Sequence, residues 1–540
     1  MKHILPLLIF LCVFPLLTNA QSGTKGKSIS AADAAKLLMV KQKYLGGDFV
    51  AALTGFRELE LSNPDNSTIK YYVGMCFYNM GDRKSARQLF DKALAIDNDV
   101  HPETYLMLCK MELGDENPVA AKGYIESFKK RGVTDKELIK EASLLEAYCN
   151  NAERLINSPL PVRIISLGEL VNSKFDDKNP CVTADGHKLF FTTRRPESEN
   201  AEKDTEGDGL FFEAIYLSET DSVGTQGNAH NAGGGINTKG HDACTSVSGD
   251  GKSMIVYRND PYDRATTGGN LFQSKIMNGK WKKPEGFPKQ INSTYWEGGG
   301  CMSADGKKLF FCSERPGGAG RSDIWVVEKI DKHTWGAPVN AGTVINTPYD
   351  EAGLYLAPDG KTLFFCSNGP NSMGGYDVFK TVYEKGTFSP PINVGYPINS
   401  CAREGQISMT GDSRYLYFSS DRNNGIGEND VYKVDMLDYA ILEPDGVRKK
   451  ADYGILKGTV REGFEGYGMG GVEITIKDEK GHEVRTTQSG ERGEYYLTLP
   501  AGKFSITLHF KGYKDVTESF DITVGEKQPL TVEKGFLLSK

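Results

Sequence analysis

The sequence predicts a multidomain chain with three architectures in series: an α-helical repeat solenoid, a β-propeller and a small β-sandwich. Three observations carry this. From about residue 30 to 155 apolar residues follow helical periodicity and recur at a period of 34. From about 160 to 436 an Asp-Gly turn recurs among short strands, and from about 453 to 528 strands alternate with Gly turns. The 540 residues suit several domains of roughly 150 residues each. Glycine, at 61 of 540 residues, exceeds the ordinary share of about 7%, so many tight turns are needed. The net charge of −7 argues against a nucleic-acid partner, which a clustered basic face would announce.

The N-terminus reads Met1-Lys2-His3, then apolar from Ile4 to Leu17, then Thr18-Asn19-Ala20-Gln21. A basic start, a short apolar core and a small residue predict a secretory signal over 1–20, cleaved after Ala20. An anchor helix fits less well, because the apolar run falls short of the roughly 20 residues a span needs and contains Pro6 and Pro15. No lipidation is expected at Cys12, and no later segment is long and apolar enough to span a membrane. The nine remaining cysteines form no CxxC and no zinc spacing, and are expected to be small buried residues.

Residues 28–157 carry the helical repeat. Gly47-Asp48, Gly81-Asp82 and Gly114-Asp115 are spaced by 34 and 33, with Ala52, Ala86 and Ala120 in step, then Phe56, Phe90 and Tyr124. A small residue lets two helices approach closely and the aromatic fills the groove beside it. The pattern resembles the tetratricopeptide repeat (TPR), which implies a concave groove for a partner segment. A helical bundle without a binding role is the plainer alternative.

Residues 160–438 carry a second repeat. Its turns are Asp185-Gly186, Asp250-Gly251, Asp305-Gly306, Asp359-Gly360 and Gly411-Asp412. Eight residues before each Asp stands an acid (Asp177, Asp242, Glu297, Glu351, Glu404), and five before each acid an Asn (Asn172, Asn237, Asn292, Asn346, Asn399). Apolar strands such as Leu309-Phe310-Phe311 follow, then a strand such as Asp323-Ile324-Trp325. Repeating units of this kind predict propeller blades. Val162–Val171 is expected to supply the outer strand that the last unit lacks, giving five blades; six, using Tyr439–Asp445, is the alternative. The residues resemble the TolB-like, or WD40-like, propeller repeat. The repeated acids are expected to tie turns and blades together rather than ring the axis with ligands, and Arg195, Arg315 and Arg422 to pack or form ion pairs.

Residues 453–528 contain Gly458-Thr459-Val460, Gly470-Gly471-Val472, Gly493-Glu494-Tyr495 and Pro500-Ala501-Gly502. This order resembles the carboxypeptidase regulatory-like domain, a β-sandwich module.

No nucleophile elbow, Walker loop, HExxH or dinucleotide fingerprint occurs. The eight His are scattered singly. Asp204-Thr205-Glu206-Gly207-Asp208-Gly209 begins like a calcium loop, but Ile215 stands where a bidentate Glu is required. On this reading there is no catalytic, cofactor-binding or metal-binding residue, no cofactor, and no enzyme.

The module order resembles the PorE-like periplasmic components of the type IX secretion system, although their C-terminal OmpA-like domain does not follow the sandwich here. The resemblance implies an outer-membrane-associated periplasmic scaffold. Its partners would be other envelope or secretion-apparatus proteins, held through the TPR groove and the propeller face, and direct peptidoglycan binding is not expected. The alternative is a glycan-binding or carbohydrate-active propeller protein.

Overall fold

The computed structural model describes residues 29–198, 200–205, 209–221, 225–233, 235–259, 268–277, 279–331, 334–443, 446–447, 453–523 and 529–540. The expected signal over 1–20 lies outside the described residues. The chain divides at Arg154/Leu155 into two units.

The first unit is helical: α1 (Ala31–Leu45), α2 (Phe49–Ser62), α3 (Ser67–Asn79), α4 (Arg83–Ile96), α5 (Glu103–Gly114), α6 (Pro118–Lys129) and α7 (Lys136–Ile156). Asp48 and Asp82 cap α2 and α4 by accepting from the backbone N–H of Ala51 and Ser85. Gly47 and Gly81 supply the left-handed residue before each cap, at φ 82° and 84°. Helices cross closely at small residues: a Cβ on Gly74 of α3 would lie 2.7 Å from the Phe90 ring of α4.

The third repeat is shifted from the sequence expectation. Gly114 ends α5, the left-handed residue is Glu116 at φ 54°, and α6 follows Asn117. The buried equivalents of Ala86 and Phe90 are therefore Ala121 and Ile125, not Ala120 and Tyr124. The inserted residue rotates the helix by about 100°.

The second unit is β-structure. Five antiparallel sheets follow one another. Sheet 1 begins with Asp177–Val182, sheet 2 with His241–Val247, sheet 3 with Glu297–Met302, sheet 4 with Glu351–Leu356 and sheet 5 with Glu404–Met409. Second strands are Lys188–Thr193, Ser253–Asn259, Lys308–Ser313, Thr362–Ser367 and Tyr415–Ser420; third strands are Ala214–Glu219, Asn270–Met277, Asp323–Glu328, Asp377–Glu384 and Asp430–Asp435. Arg163–Ser166, drawn from the N-terminal side, pairs antiparallel with Asp430–Asp435 and completes sheet 5. Tyr439 makes only an isolated bridge to Val447, and no sixth sheet of this series is present among the described residues.

Second strands are buried on both faces, because consecutive side chains of a strand point to opposite neighbours. Phe311 packs with Ile255 and Leu271 of sheet 2, while Phe310 packs with Phe365 and Phe379 of sheet 4. The Asp-Gly turns link first to second strands. Gly186, Gly251, Gly306 and Gly360 have φ from 67° to 76°, and the fifth turn places Ser413 at φ 57°.

Neighbouring sheets share no ladder, so each of the five Asn residues bridges the gap. The Asn172 side chain accepts from Val431 N–H at 2.7 Å and donates to Val431 C=O at 3.0 Å. Asn237, Asn292, Asn346 and Asn399 do the same with Ile215, Leu271, Ile324 and Val378. A backbone bond runs alongside: Asp242 N–H donates to Glu213 C=O, and likewise around to Asp177 N–H with Asn429 C=O. The five sheets thus form a closed cycle, joined between sheets 5 and 1 without covalent continuity.

Residues 453–540 form two four-stranded sheets, one around Tyr453–Glu462 and one ordered Glu483–Gln488, Glu473–Asp478, Gly502–His509, Val516–Ile522. They share a core that includes Leu456, Ile474, Leu497 and Ile506. This module meets the Asp-Gly turn end of the ring. Thr487 donates to Asp250, Tyr453 Oη lies 2.6 Å from Ser413 Oγ, and a Cβ on Gly411 would lie 3.1 Å from Tyr496 and Thr498.

Replacing Asn172 by Ala leaves Val431 N–H and C=O buried without partners. The expected cost is about 1–3 kcal/mol, read as a lower thermal midpoint of the β unit. Loss of the midpoint shift in the Asn172→Ala protein would show that the seam does not rely on this side chain.

Candidate functional site

The five repeated acids are internal ties. Asp177, Asp242, Glu297, Glu351 and Glu404 are each at most 1% exposed, and each accepts from the backbone N–H and the hydroxyl of the Ser or Thr that follows its Asn. Arg195, Arg315 and Arg422 reach Asp177, Glu297 and Glu404 at 2.6, 3.1 and 3.0 Å. Each guanidinium also lies over two rings, as Arg315 does over Phe311 and Trp325. Arg258, placed on the second strand itself, serves Asp242.

Sheet 4 departs from the pattern. Gly369 stands where Arg315 and Arg422 stand, after Ser367-Asn368, and no cation pairs with Glu351 among the described residues. Burial, with Asp323 nearby, raises the Glu351 carboxyl to about 7.

The residue before each repeated acid breaks the repeat: Asp176, His241, Trp296, Asp350 and Arg403. These positions start the first strands, and the antiparallel registers bring the ends of second strands and starts of third strands to the same end. There the structure assembles a buried ionic cluster from sheets 1 and 2. Lys178 Nζ lies 2.9 Å from Asp176 and 2.7 Å from Glu213. Arg194 lies 3.6 Å from Glu213, and the His241 ring sits between Asp204 at 3.2 Å and Glu213 at 3.4 Å. Phe212 meets the His241 ring edge-on at 5.1 Å.

Burial opposes the charges of Glu213, His241 and Lys178, but their partners prevail. Lys178, His241 and Arg194 hold the Glu213 carboxyl well below the usual range. Glu213 and Asp204 raise His241 above its ordinary value, and Glu213 and Asp176 raise Lys178. Three carboxylates face Lys178, Arg194 and His241, with both imidazole nitrogens turned to carboxylates. Reading the His as scattered missed this, because the six residues come from five separate segments between 176 and 241. The one signal available was that Asp176 and His241 both precede a repeated acid. Asp204 of the calcium-like stretch faces His241; Glu206, Gly207 and Asp208 lie outside the described residues. No group of three or more His, Cys, Asp or Glu suited to a metal occurs among the described residues.

A second candidate surface lies on the helical unit. Leu38, Met39 and Leu45 of α1 are 63%, 67% and 48% exposed, beside a groove of about 210 Å³ between α1 and α2 lined by Lys36, Met39, Lys43 and Gly55. The opposite face of α1 buries Val40 against Phe56 and Leu59. Among the described residues nothing covers Leu38 and Met39.

Residues 455–533 match the model of the carboxypeptidase regulatory-like domain. No curated protein matches the chain. Similar solved structures include an α-L-arabinofuranosidase from Lactobacillus brevis (11% identity, 52% of this chain and 95% of that one, TM-score 0.33). Others are an α-L-arabinanase of Penicillium chrysogenum (10%, 51% and 99%, 0.31) and a Trypanosoma rangeli sialidase (10%, 68% and 90%, 0.30). At these values the likeness transfers no residue and no substrate.

The expectation that the chain is not an enzyme is corrected by this comparison, since the similar solved structures are mostly β-propeller glycoside hydrolases. Its flaw is physical. Glycoside hydrolysis needs two carboxylates brought together by the fold, not a contiguous motif, so a search for motifs cannot exclude it.

Two measurements probe these sites. Lys178→Met removes one cation from a buried cluster and is expected to cost about 3–5 kcal/mol, measured by denaturant unfolding. For Glu351, the folded carboxyl binds its proton more tightly than the unfolded one. Stability is therefore expected to fall as pH rises from the ordinary carboxylate range to about 7, by on the order of 3 kcal/mol. Gly369→Arg, at a site where a Cβ meets neighbours only at 3.5–3.8 Å, is expected to flatten that slope in thermal unfolding against pH. An unchanged slope in the variant would remove Glu351 as its source.

Proposed function

We propose that the protein is an exported scaffold of the cell envelope that holds other proteins through its helical-repeat unit. In this reading the five sheets are the blades of a five-bladed propeller closed by Arg163–Ser166, and residues 453–540 are a β-sandwich fixed to it. The resemblance of the module order to PorE-like components favours the periplasmic side of the outer membrane and a type IX secretion assembly.

The observation that carries the reading is the uncovered apolar face of α1. Leu38, Met39 and Leu45, each partly buried already, would gain about 1–2 kcal/mol apiece from full burial. Lys36 at the groove rim is paired with Glu58, which leaves Lys43 as the rim cation that would favour an acid beside the apolar residues of a partner segment.

Leu38→Glu/Met39→Glu protein, checked for native helicity, is compared with wild type by cross-linking in envelope fractions. The same partners are expected with the wild type and at least tenfold less with the variant. Equal recovery would reject the α1 surface as the docking site.

A second reading, a propeller that binds or acts on glycans, is favoured by one observation: two carboxylates outside the repeated set, Glu213 and Asp204, meet at the His241 ring beside Phe212. Glycan binding abolished by Glu213→Gln would support it.

A further inference from the structure

We infer that Cys109 and Cys149 are a disulfide-forming pair, an oxidation site that fastens α7 to α5 in an oxidising compartment. Their Sγ atoms lie 3.9 Å apart between the two helices, and both residues are fully buried. Two thiols in contact need only a side-chain rotation and a closure of about 2 Å to reach the bonded separation. The hydrogen bond from Cys109 also lowers the Cys149 thiol below its ordinary value, which makes Cys149 the better attacking sulfur.

Cys181 and Cys244 also contact one another, but with competing partners. Cys181 contacts the Asn179 carbonyl at 3.6 Å and the Gln406 amide at 3.4 Å, so its sulfur has polar neighbours besides Cys244. Burial alone pushes the Cys76 thiol up to about 12. The loop that the 109–149 bond would close spans 40 residues, so the cross-link removes freedom from the unfolded chain as well as tying two helices.

The step is thiol–disulfide exchange with a small-molecule or protein disulfide. The Cys149 thiolate attacks one sulfur of that disulfide and releases the other as a thiolate. Cys109, losing its proton, then attacks Cys149 Sγ, forms the intramolecular bond and releases the second thiolate. Two thiol protons pass to the two released thiolates; the cysteines are oxidised by two electrons and the external disulfide is reduced by two. Because both sulfurs are buried, exchange proceeds before α7 docks or while it is transiently open.

The inference draws its compartment from the export reading above, and a defined redox buffer separates the two. Purified protein is equilibrated with reduced and oxidised glutathione at an oxidising poise, alkylated after denaturation, and mapped by peptide mass. A linked Cys109–Cys149 peptide is expected, with two fewer alkylatable thiols among the nine from Cys76 to Cys401. The helical unit should melt several degrees lower on reduction. Cys149→Ser should abolish both effects, and Cys76→Ser should keep them. All nine thiols alkylated after oxidation, or linkage of Cys181 to Cys244 instead, would overturn the assignment. The linked peptide in buffer but not in protein taken from cells would support the pair and count against export.

Discussion

A side-chain amide standing in for a missing strand partner is the interaction on which the β ring depends. Adjacent sheets touch through apolar side chains, which attract but do not set register. The Asn carboxamide offers one donor and one acceptor at the spacing of a peptide group, so it fixes a single residue of the neighbouring third strand. Once buried, the pair is costly to break, which makes the relative placement of sheets definite. The repeated acid holds the hydroxyl residue next to that Asn, and an Arg stacked on the second and third strands braces the acid. Asn, a Ser or Thr, and the acid thus form one joint repeated around the ring, braced by Arg in four of the five sheets, and at the closure it joins Asn172 to Val431, 259 residues apart.

This joint explains why constraint and variation are separated by one position. An acid buried beneath Ser and Thr hydroxyls has no freedom to change. Its predecessor, one residue along and at the mouth of the ring, carries none of that duty. Asp176, His241, Trp296, Asp350 and Arg403 share a location but range from acid to imidazole, indole and guanidinium. The ion cluster of sheets 1 and 2 grows from two of them.

Much of the architecture was legible because repeats expose it. Spacing of Asp-Gly, Asn and acid marked the strands, and the surplus N-terminal strand Arg163–Ser166 could be matched to the unit that lacked one. What failed was whatever depended on a single residue or on distant segments. Glu116 takes a left-handed turn that glycine usually fills, so the third helical repeat slid out of step with its motif. The ionic cluster unites Asp176, Lys178, Arg194, Asp204, Glu213 and His241, whose proximity no local pattern encodes. The exposed Leu38 and Met39 of α1 escaped notice because they adjoin the buried Val40 in sequence, and only the fold decides which of them is covered. The exclusion of catalysis rested on missing motifs, a test blind to chemistry assembled by loops.

The seat of the C-terminal module has a mechanical side. Its strands grip the turn of sheet 2 through Asp250 and the turn of sheet 5 through Ser413, on either side of the junction between sheets 5 and 1. A pull on the C-terminus is therefore delivered to the ring as a load straddling its one discontinuity, and the module acts as a splint across it. Tension that would open an unsupported ring has first to shear the splint from two turns at once.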